Sequence, residues 1–343
     1  MLWWADLPAH VGVRNSVDLF RVEYTTMNYD GANVIASGLV AFPRRGPLRG
    51  VVSYQHGTRT NRKNAPSTPS PDEGLLGAAV FAGGGYLFTA PDYIGLGTSK
   101  TLHPYLHAPS TAAATVDLLR AARTLAEAKG KAWPGKIYLT GFSEGGYATA
   151  VAHRAMEAKP APDYSLVASA PISPALNLDG IAFPYAIKNN RSLYLAYICT
   201  AYSAIYRQPL DSIVRPPFGN QLPTIFDGDH DEDAVDAVLP KQPRDLFTPE
   251  FLAAYDAGQP TWLMTALAEN EAYKWAPNAP MRIYFGTKDT DVSPEDSQRG
   301  AEEMKRRGGD ATAVCAGDVD HIGTVMHAIP EVRRWFDTLS AKK

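Results

Sequence analysis

The chain predicts a doubly wound, mostly parallel α/β sheet interrupted by an inserted helical cap. Three observations carry that expectation. Short apolar runs alternate with helical segments through residue 172 and again from residue 281, the rhythm of βαβ units. A G-F-S-E-G-G turn, Gly141 to Gly146, joins one such run directly to a helical segment. Between residues 173 and 280 the rhythm stops, and aromatic-studded helical pieces take over. The expected organisation is therefore a core of residues 1–172 and 281–343, with residues 173–280 as a cap or lid over the carboxyl edge of the sheet, where doubly wound folds put their sites.

The elements follow in order. Asp18 to Thr26 and Asn33 to Phe42 are strand-forming runs joined by Asp30-Gly31-Ala32, a hairpin signal. G-V-V-S-Y-Q-H-G and G-Y-L-F-T-A-P-D-Y are short and continuously apolar, as central parallel strands are. A helix is expected from about Ser110 to Lys129, with Ser110 or Thr111 as N-cap and Gly130 as terminator. K-I-Y-L-T (Lys136 to Thr140) is the strand before the turn, and the helix after it stops before Pro160. S-L-V-A-S-A-P (Ser165 to Pro171) is a further buried strand. After the aromatic segment come the strands M-R-I-Y-F-G and A-T-A-V-C-A, then a last helix near I-P-E-V-R-R-W-F-D. The rings of the segment include Phe183, Tyr185, Tyr194, Tyr197, Tyr202 and Phe251, and they are expected to offer substrate an apolar face.

Composition excludes several function classes. At 343 residues, 45% hydrophobic and 20% charged, the chain is globular and long enough for a large core. A formal net charge of −3 with no basic stripe gives no case for nucleic acid. No apolar run approaches the ~20 residues of a membrane span. The start, M-L-W-W-A-D-L-P, lacks the basic and long apolar regions of a signal peptide; a processed chain would look the same, so compartment and oligomeric state stay open. Cys199 and Cys315 are read as two buried free thiols without metal-ligand spacing. No G-x-G-x-x-G or Walker sequence opens a helix, so no nucleotide cofactor is expected. D-G-D-H-D-E-D (Asp227 to Asp233) suggests calcium but lacks the glycine and glutamate positions of an EF-hand loop, and reads as a solvated acidic turn before a helix. No metal and no other cofactor is expected.

The turn at Gly141 to Gly146 carries the chemistry. G-x-S-x-G between strand and helix is the pattern of a nucleophile elbow. Side chains two before and two after the serine would collide with neighbouring backbone, so Gly141 and Gly145 are required there. Ser143 is thereby lifted over the positive end of the following helix, where the Glu144 N–H can hold an oxyanion. A serine hydroxyl needs a base, and the base needs a carboxylate to orient it. Of the eight histidines, only His321 and His327 follow the last strands. His321 stands in a loop just past the Cys315 strand, whereas His327 falls within the last helix and turns elsewhere. His153 rides the elbow's own helix and cannot fold back. The loop after Met281 to Phe285 offers Asp289 and Asp291 as the acid, while Asp318 and Asp320 read as loop solvation.

With these elements in this order, the chain resembles the α/β-hydrolase esterases and lipases. G-T-K-D-T-D-V-S-P is similar to the family's G-x-x-D-x-x-V-P, which implies Asp289 as the acid, although the proline stands one residue late and leaves Asp291 in play. His56-Gly57-Thr58 resembles the H-G-x oxyanion element, which implies the Thr58 N–H as second donor, with His56 as a loop-holding residue. P-D-Y-I-G-L-G-T-S with H-P-Y (His103 to Tyr105), the large cap and the 32 residues from acid to histidine resemble the secretory branch typified by lipase A. The resemblance implies a metal-free serine carboxylic-ester hydrolase working through an acyl-enzyme on short- to medium-chain esters, with a small-molecule ester as its partner. A serine peptidase of the same fold, or a non-catalytic hydrolase-like binding protein, are the alternatives.

Overall fold

The computed structural model describes residues 12–69 and 73–341. Eight strands form one sheet in the order β1-β2-β4-β3-β5-β6-β7-β8. β1 (Val17–Met27) and β2 (Asn33–Pro43) are the expected hairpin; β2 pairs antiparallel with β4 (Leu87–Pro91). From there β4, β3 (Val51–Gln55), β5 (Lys136–Phe142), β6 (Ser165–Ile172), β7 (Met281–Gly286) and β8 (Ala311–Gly317) run parallel. The chain leaves β3 to one side for β4 and returns to its other side as β5. That reversal makes the β3/β5 edge the topological switch point, and the loops after Gln55 and Phe142 meet there.

Helices cover both faces. On one lie α2 (Ala108–Ala128) and α3 (Glu144–Ala158), burying Leu118, Ala122, Ala152 and Met156 against Val51, Leu87 and Ile137. On the other, α11 (His321–Ser340) packs Val325, Ile329, Val332 and Phe336 near Phe81, Phe88 and Tyr138. A short helix, α1 (Glu73–Gly77), precedes β4, and α10 (Pro294–Arg306) joins β7 to β8.

Between β6 and β7 lie only helices: α4 (Phe183–Lys188), α5 (Ser192–Tyr206), α6 (Phe218–Ile225), α7 (Glu232–Val238), α8 (Pro249–Asp256) and α9 (Trp262–Glu269). The one β contact in this described stretch is an isolated bridge, Val214 to Phe247. α5 is buried from Leu195 to Tyr202 without a polar face and forms the axis of the insertion. Its cluster is continuous with Tyr147 and Val151 of α3, so insertion and core share one apolar interior.

Three local expectations need correction. α2 starts at Ala108, not at Ser110, with His107 at the N-cap and no side-chain cap of its own. Asn270 supplies the cap from the end of α9, its Oδ1 accepting from Ala108 N at 2.9 Å, a long-range solution that local sequence cannot announce. Gly130 does end the helix, at φ +65. Cys199 is buried and free, but Cys315 is exposed because β8 is the sheet's edge strand with one face open. Asp320 is the N-cap of α11, accepting from Gly323 N at 2.8 Å, so His321 begins that helix instead of lying in a loop.

Candidate active site

Ser143 follows β5 with φ 60 and ψ −118, and α3 starts at the next residue. A left-handed non-glycine costs on the order of 1–3 kcal/mol and persists only where its surroundings impose it. They do so here through close backbone packing. A Cβ on Gly145 would stand 1.9 Å from Gln55 O, and one on Gly141 2.4 Å from Gly145 O. Ser143 N also donates to Ile172 O at 2.9 Å, tying the elbow to β6.

The loop after β3 runs beside the elbow. Glu73 of α1 holds it: Oε1 accepts from Gly57 N at 2.9 Å and from Arg59 at 2.8 Å, while Oε2 accepts from Tyr54 Oη at 2.6 Å. Tyr105 Oη lies 3.0 Å from Thr58 Oγ1. Among the described residues, neither the Thr58 nor the Glu144 amide has an acceptor. His56 is buried beneath this loop, its Nδ1 2.7 Å from Gly57 O. Burial and then the nearby Arg59 cation push its imidazole down to about 4, so it is neutral near pH 7 and serves the loop. Asp92, in the P-D-Y turn, accepts from Ser37 Oγ at 2.6 Å and Ser67 N at 2.8 Å, a wholly internal role.

Asp289 and His321 meet across the loops after β7 and β8. His321 Nδ1 lies 2.7 Å from Asp289 Oδ2, both residues being buried. Asp289 Oδ1 accepts from Asp291 N and Val292 N, each at 2.9 Å. Burial pulls the Asp289 carboxyl upward, but the bond and charge of His321 and the Val292 N–H outweigh it and hold the group below its ordinary value. The His321 ring packs on Phe142, the residue before Ser143, with centroids 4.4 Å apart. No hydrogen bond joins Ser143 to His321 here; such bonds commonly tighten only once substrate is bound. Asp291 makes no bond to His321 and accepts instead from Tyr194 Oη at 2.9 Å and Arg191 Nη2 at 3.1 Å. Asp289, Asp291 and His321 bring possible ligand atoms within 4.8 Å of one another. Asp289 and His321 are bonded to each other within this group, and Asp291 to Tyr194 and Arg191.

The remaining candidates are accounted for locally. His327 Nδ1 faces Ala316 O at 3.1 Å, and His153 bonds Ser169 and Glu157. In the acidic turn, Asp227 accepts from Asp229 N and Asp231 caps α7 through Ala234 N.

Ser143 and Glu144 line a narrow cavity that is partly open to solvent. Its far wall comes from the insertion and is mainly aliphatic: Leu178, Ala182, Ala186, Leu195 and Ile198. Of the insertion's rings only Phe183 and Tyr194 reach it. The expectation that the rings face substrate is therefore largely overturned. Phe247, Phe251 and Tyr255 pack around Phe183, and Tyr197 stacks between Tyr105 and Phe226. Sequence reading also missed Glu73, Tyr185, whose hydroxyl donates to Asp289 O at 2.7 Å, and the pairing of His103 with Glu144 at 2.7 Å. Only the last had a signal: a carboxylate amid small, buried residues requires a partner.

Comparison with known proteins agrees with this geometry. Residues 75–343 match the profile of the secretory lipases. A provisionally named hydrolase from Legionella pneumophila superposes with a TM-score of 0.91 at 27% identity, covering 99% of this chain and 96% of that one. The rice cell wall degrading esterase LipA from Xanthomonas oryzae gives 0.87 at 25% identity, covering 95% and 92%. Candida antarctica lipase A, at 16% identity, shares the fold with a TM-score of 0.72 over 97% and 80%. Comparison with curated protein sequences gives no match. No described helix is long and apolar enough to cross a membrane. With its α/β-hydrolase fold and a match over most of its length, the chain belongs to the secretory lipase family of ester-hydrolysing enzymes.

Proposed function

We propose that the chain is a serine carboxylic-ester hydrolase working through an acyl-enzyme on short- to medium-chain esters. The observation that carries this reading is the buried His321–Asp289 pair, packed on Phe142 beside the strained Ser143. Ser143 Oγ attacks the ester carbonyl carbon as His321 Nε2 takes its proton, and Asp289 holds Nδ1–H so that Nε2 is free to accept it. The Thr58 and Glu144 amides receive the negative oxygen. Collapse breaks the bond to the alcohol, which leaves with the proton from His321. Water, deprotonated by His321, then releases the acid and restores Ser143. Thr58, Glu144, Asp289 and His321 thus act with Ser143 as one unit. The match to the secretory lipases favours an ester over a peptide substrate. The family's secretory character supports action outside the cell, which comparing activity in medium and washed cells would check.

The aliphatic cavity wall sets the acyl preference. Each CH₂ that becomes buried adds up to ~0.8 kcal/mol until the space is full. With p-nitrophenyl esters, kcat/KM should rise from acetate to butyrate or hexanoate and then level or fall. Ser143→Ala should lower kcat by ~10⁶-fold. A steady fall from acetate onward contradicts the chain-length reading, and an active alanine variant contradicts the serine mechanism.

A further inference from the structure

We propose that His103 is a positioning residue for this reaction, cancelling the buried charge of Glu144 beside the place where the oxyanion forms. The inference rests on the serine mechanism above. Glu144 is the first residue of α3 and lines the same cavity as Ser143, and its side chain is 1% exposed. A buried carboxylate is costly unless paired. Its one hydrogen-bond partner among the described residues is His103, whose Nε2 lies 2.7 Å from Oε1; Oε2 has none. Hydroxyls are close at hand but committed elsewhere. Tyr93 donates to His56 O, Tyr197 donates to Arg59 O, and Tyr105 is engaged with Thr58 Oγ1.

The proton count follows from His103's other nitrogen. Nδ1 lies 2.8 Å from Ile94 O, and a carbonyl only accepts, so Nδ1 carries a proton. A neutral imidazole then has none on Nε2. The 2.7 Å contact requires one more proton, on Nε2 or on Oε1. In both cases the pair has zero net charge. Without His103, an ionised Glu144 would oppose the negative charge that its own amide is placed to stabilise, and burial of the carboxylate amplifies that opposition. The backbone is built for this approach. Gly95 has φ +86, and a Cβ there would stand 2.4 Å from His103 N. The His103 ring is enclosed by Tyr93, Tyr105 and Tyr197.

His103→Phe keeps a ring among those tyrosines and removes both nitrogens. With p-nitrophenyl butyrate, kcat should fall about tenfold to a hundredfold with KM within about twofold, less than losing an oxyanion donor outright. Adding Glu144→Gln to His103→Phe should restore most of the lost kcat, because the stranded charge is gone. A purely architectural His103 predicts the reverse, with the double variant at or below the single one. Full activity in His103→Phe, or no recovery in the double variant, overturns the proposal. If His103→Phe does not fold, His103→Gln, which keeps an N–H for Oε1, is subject to the same recovery test. If neither folds, proton NMR of the wild type decides. A far-downfield imidazole proton should vanish in Glu144→Gln, and its absence from the wild type counts against the pair. Ser143→Ala run alongside separates the two failures. An active Ser143→Ala removes the serine mechanism, whereas an inactive one with no recovery removes only the role of His103.

Discussion

At the carboxyl edge of the sheet, backbone geometry fixes the candidate residues. Ser143 is held by its bond to Ile172 O and by an approach to Gln55 that leaves no room for a Cβ at Gly145, and Asp289 by two amides of its own loop. The inserted segment is held by side chains instead. Its rings pack on one another around Phe183 and Tyr197, and it leaves Leu178, Ala182, Ala186, Leu195 and Ile198 to face the cavity. The proposed mechanism thus places its chemistry on residues fixed by backbone, and its selectivity on a wall fixed by side-chain packing. Besides their shared apolar interior, the two regions are joined by polar ties that include Tyr185 to Asp289 O, Tyr194 and Arg191 to Asp291, and Asn270 capping α2.

The largest separation should come from the acid loop. Asp289→Asn leaves His321 without its orienting carboxylate and should lower kcat/KM by about 10⁴-fold, the scale seen when a triad aspartate is so changed. Asp291→Asn weakens a tie to the insertion through Tyr194 and Arg191 while leaving the His321–Asp289 bond in place, and should cost less than about tenfold. A larger loss in Asp291→Asn would reverse the assignment.

Within the insertion, two substitutions should part stability from selectivity. Phe247 is 1% exposed and packs on Phe183 and Phe251. Phe247→Ala should destabilise the fold by about 3–5 kcal/mol in urea unfolding, with the hexanoate-to-acetate ratio of kcat/KM unchanged. Ala186→Phe fills the cavity wall and should shift that ratio toward acetate by about tenfold, for a stability cost of about 1–3 kcal/mol. The contrast between ring packing and aliphatic wall collapses if Phe247→Ala changes the ratio and Ala186→Phe does not.

Legibility followed the same division. The elbow, the hairpin and the parallel strands each depend on residues adjacent in sequence, so Gly141, Ser143 and Gly145 declare their geometry locally. His321 was reachable because it sits just past the last strand. What escaped reading depends on distant partners. Asn270 caps Ala108, Glu73 anchors Gly57, and the edge position of β8 exposes Cys315. Rings at residues 173–280 give no periodic cue to which of them face a cavity, since a buried helix such as α5 is apolar all round.

The smallest effect concerns the junction. Asp296 of α10 is fully buried and accepts from Leu176 N and Asn177 N, each at 3.0 Å, at the entry to the insertion. Burial pushes its carboxyl up to about 8 against those two amides. Between about pH 4 and that value the unfolded chain holds fewer protons at this group than the folded one, so rising pH removes stability. Asp296→Asn should remove that component. Its stability relative to wild type in urea should improve by about 1 kcal/mol or more from pH 5 to pH 8, and a constant difference would contradict the raised value.

The central claim is that Ser143 carries the acyl group. Intact-protein mass spectrometry after a rapid acid quench of the reaction with p-nitrophenyl butyrate tests it directly. The account predicts a butyryl adduct that maps to the peptide containing Ser143 and is missing from Ser143→Ala. An adduct on another residue, or one that persists in Ser143→Ala, would contradict it.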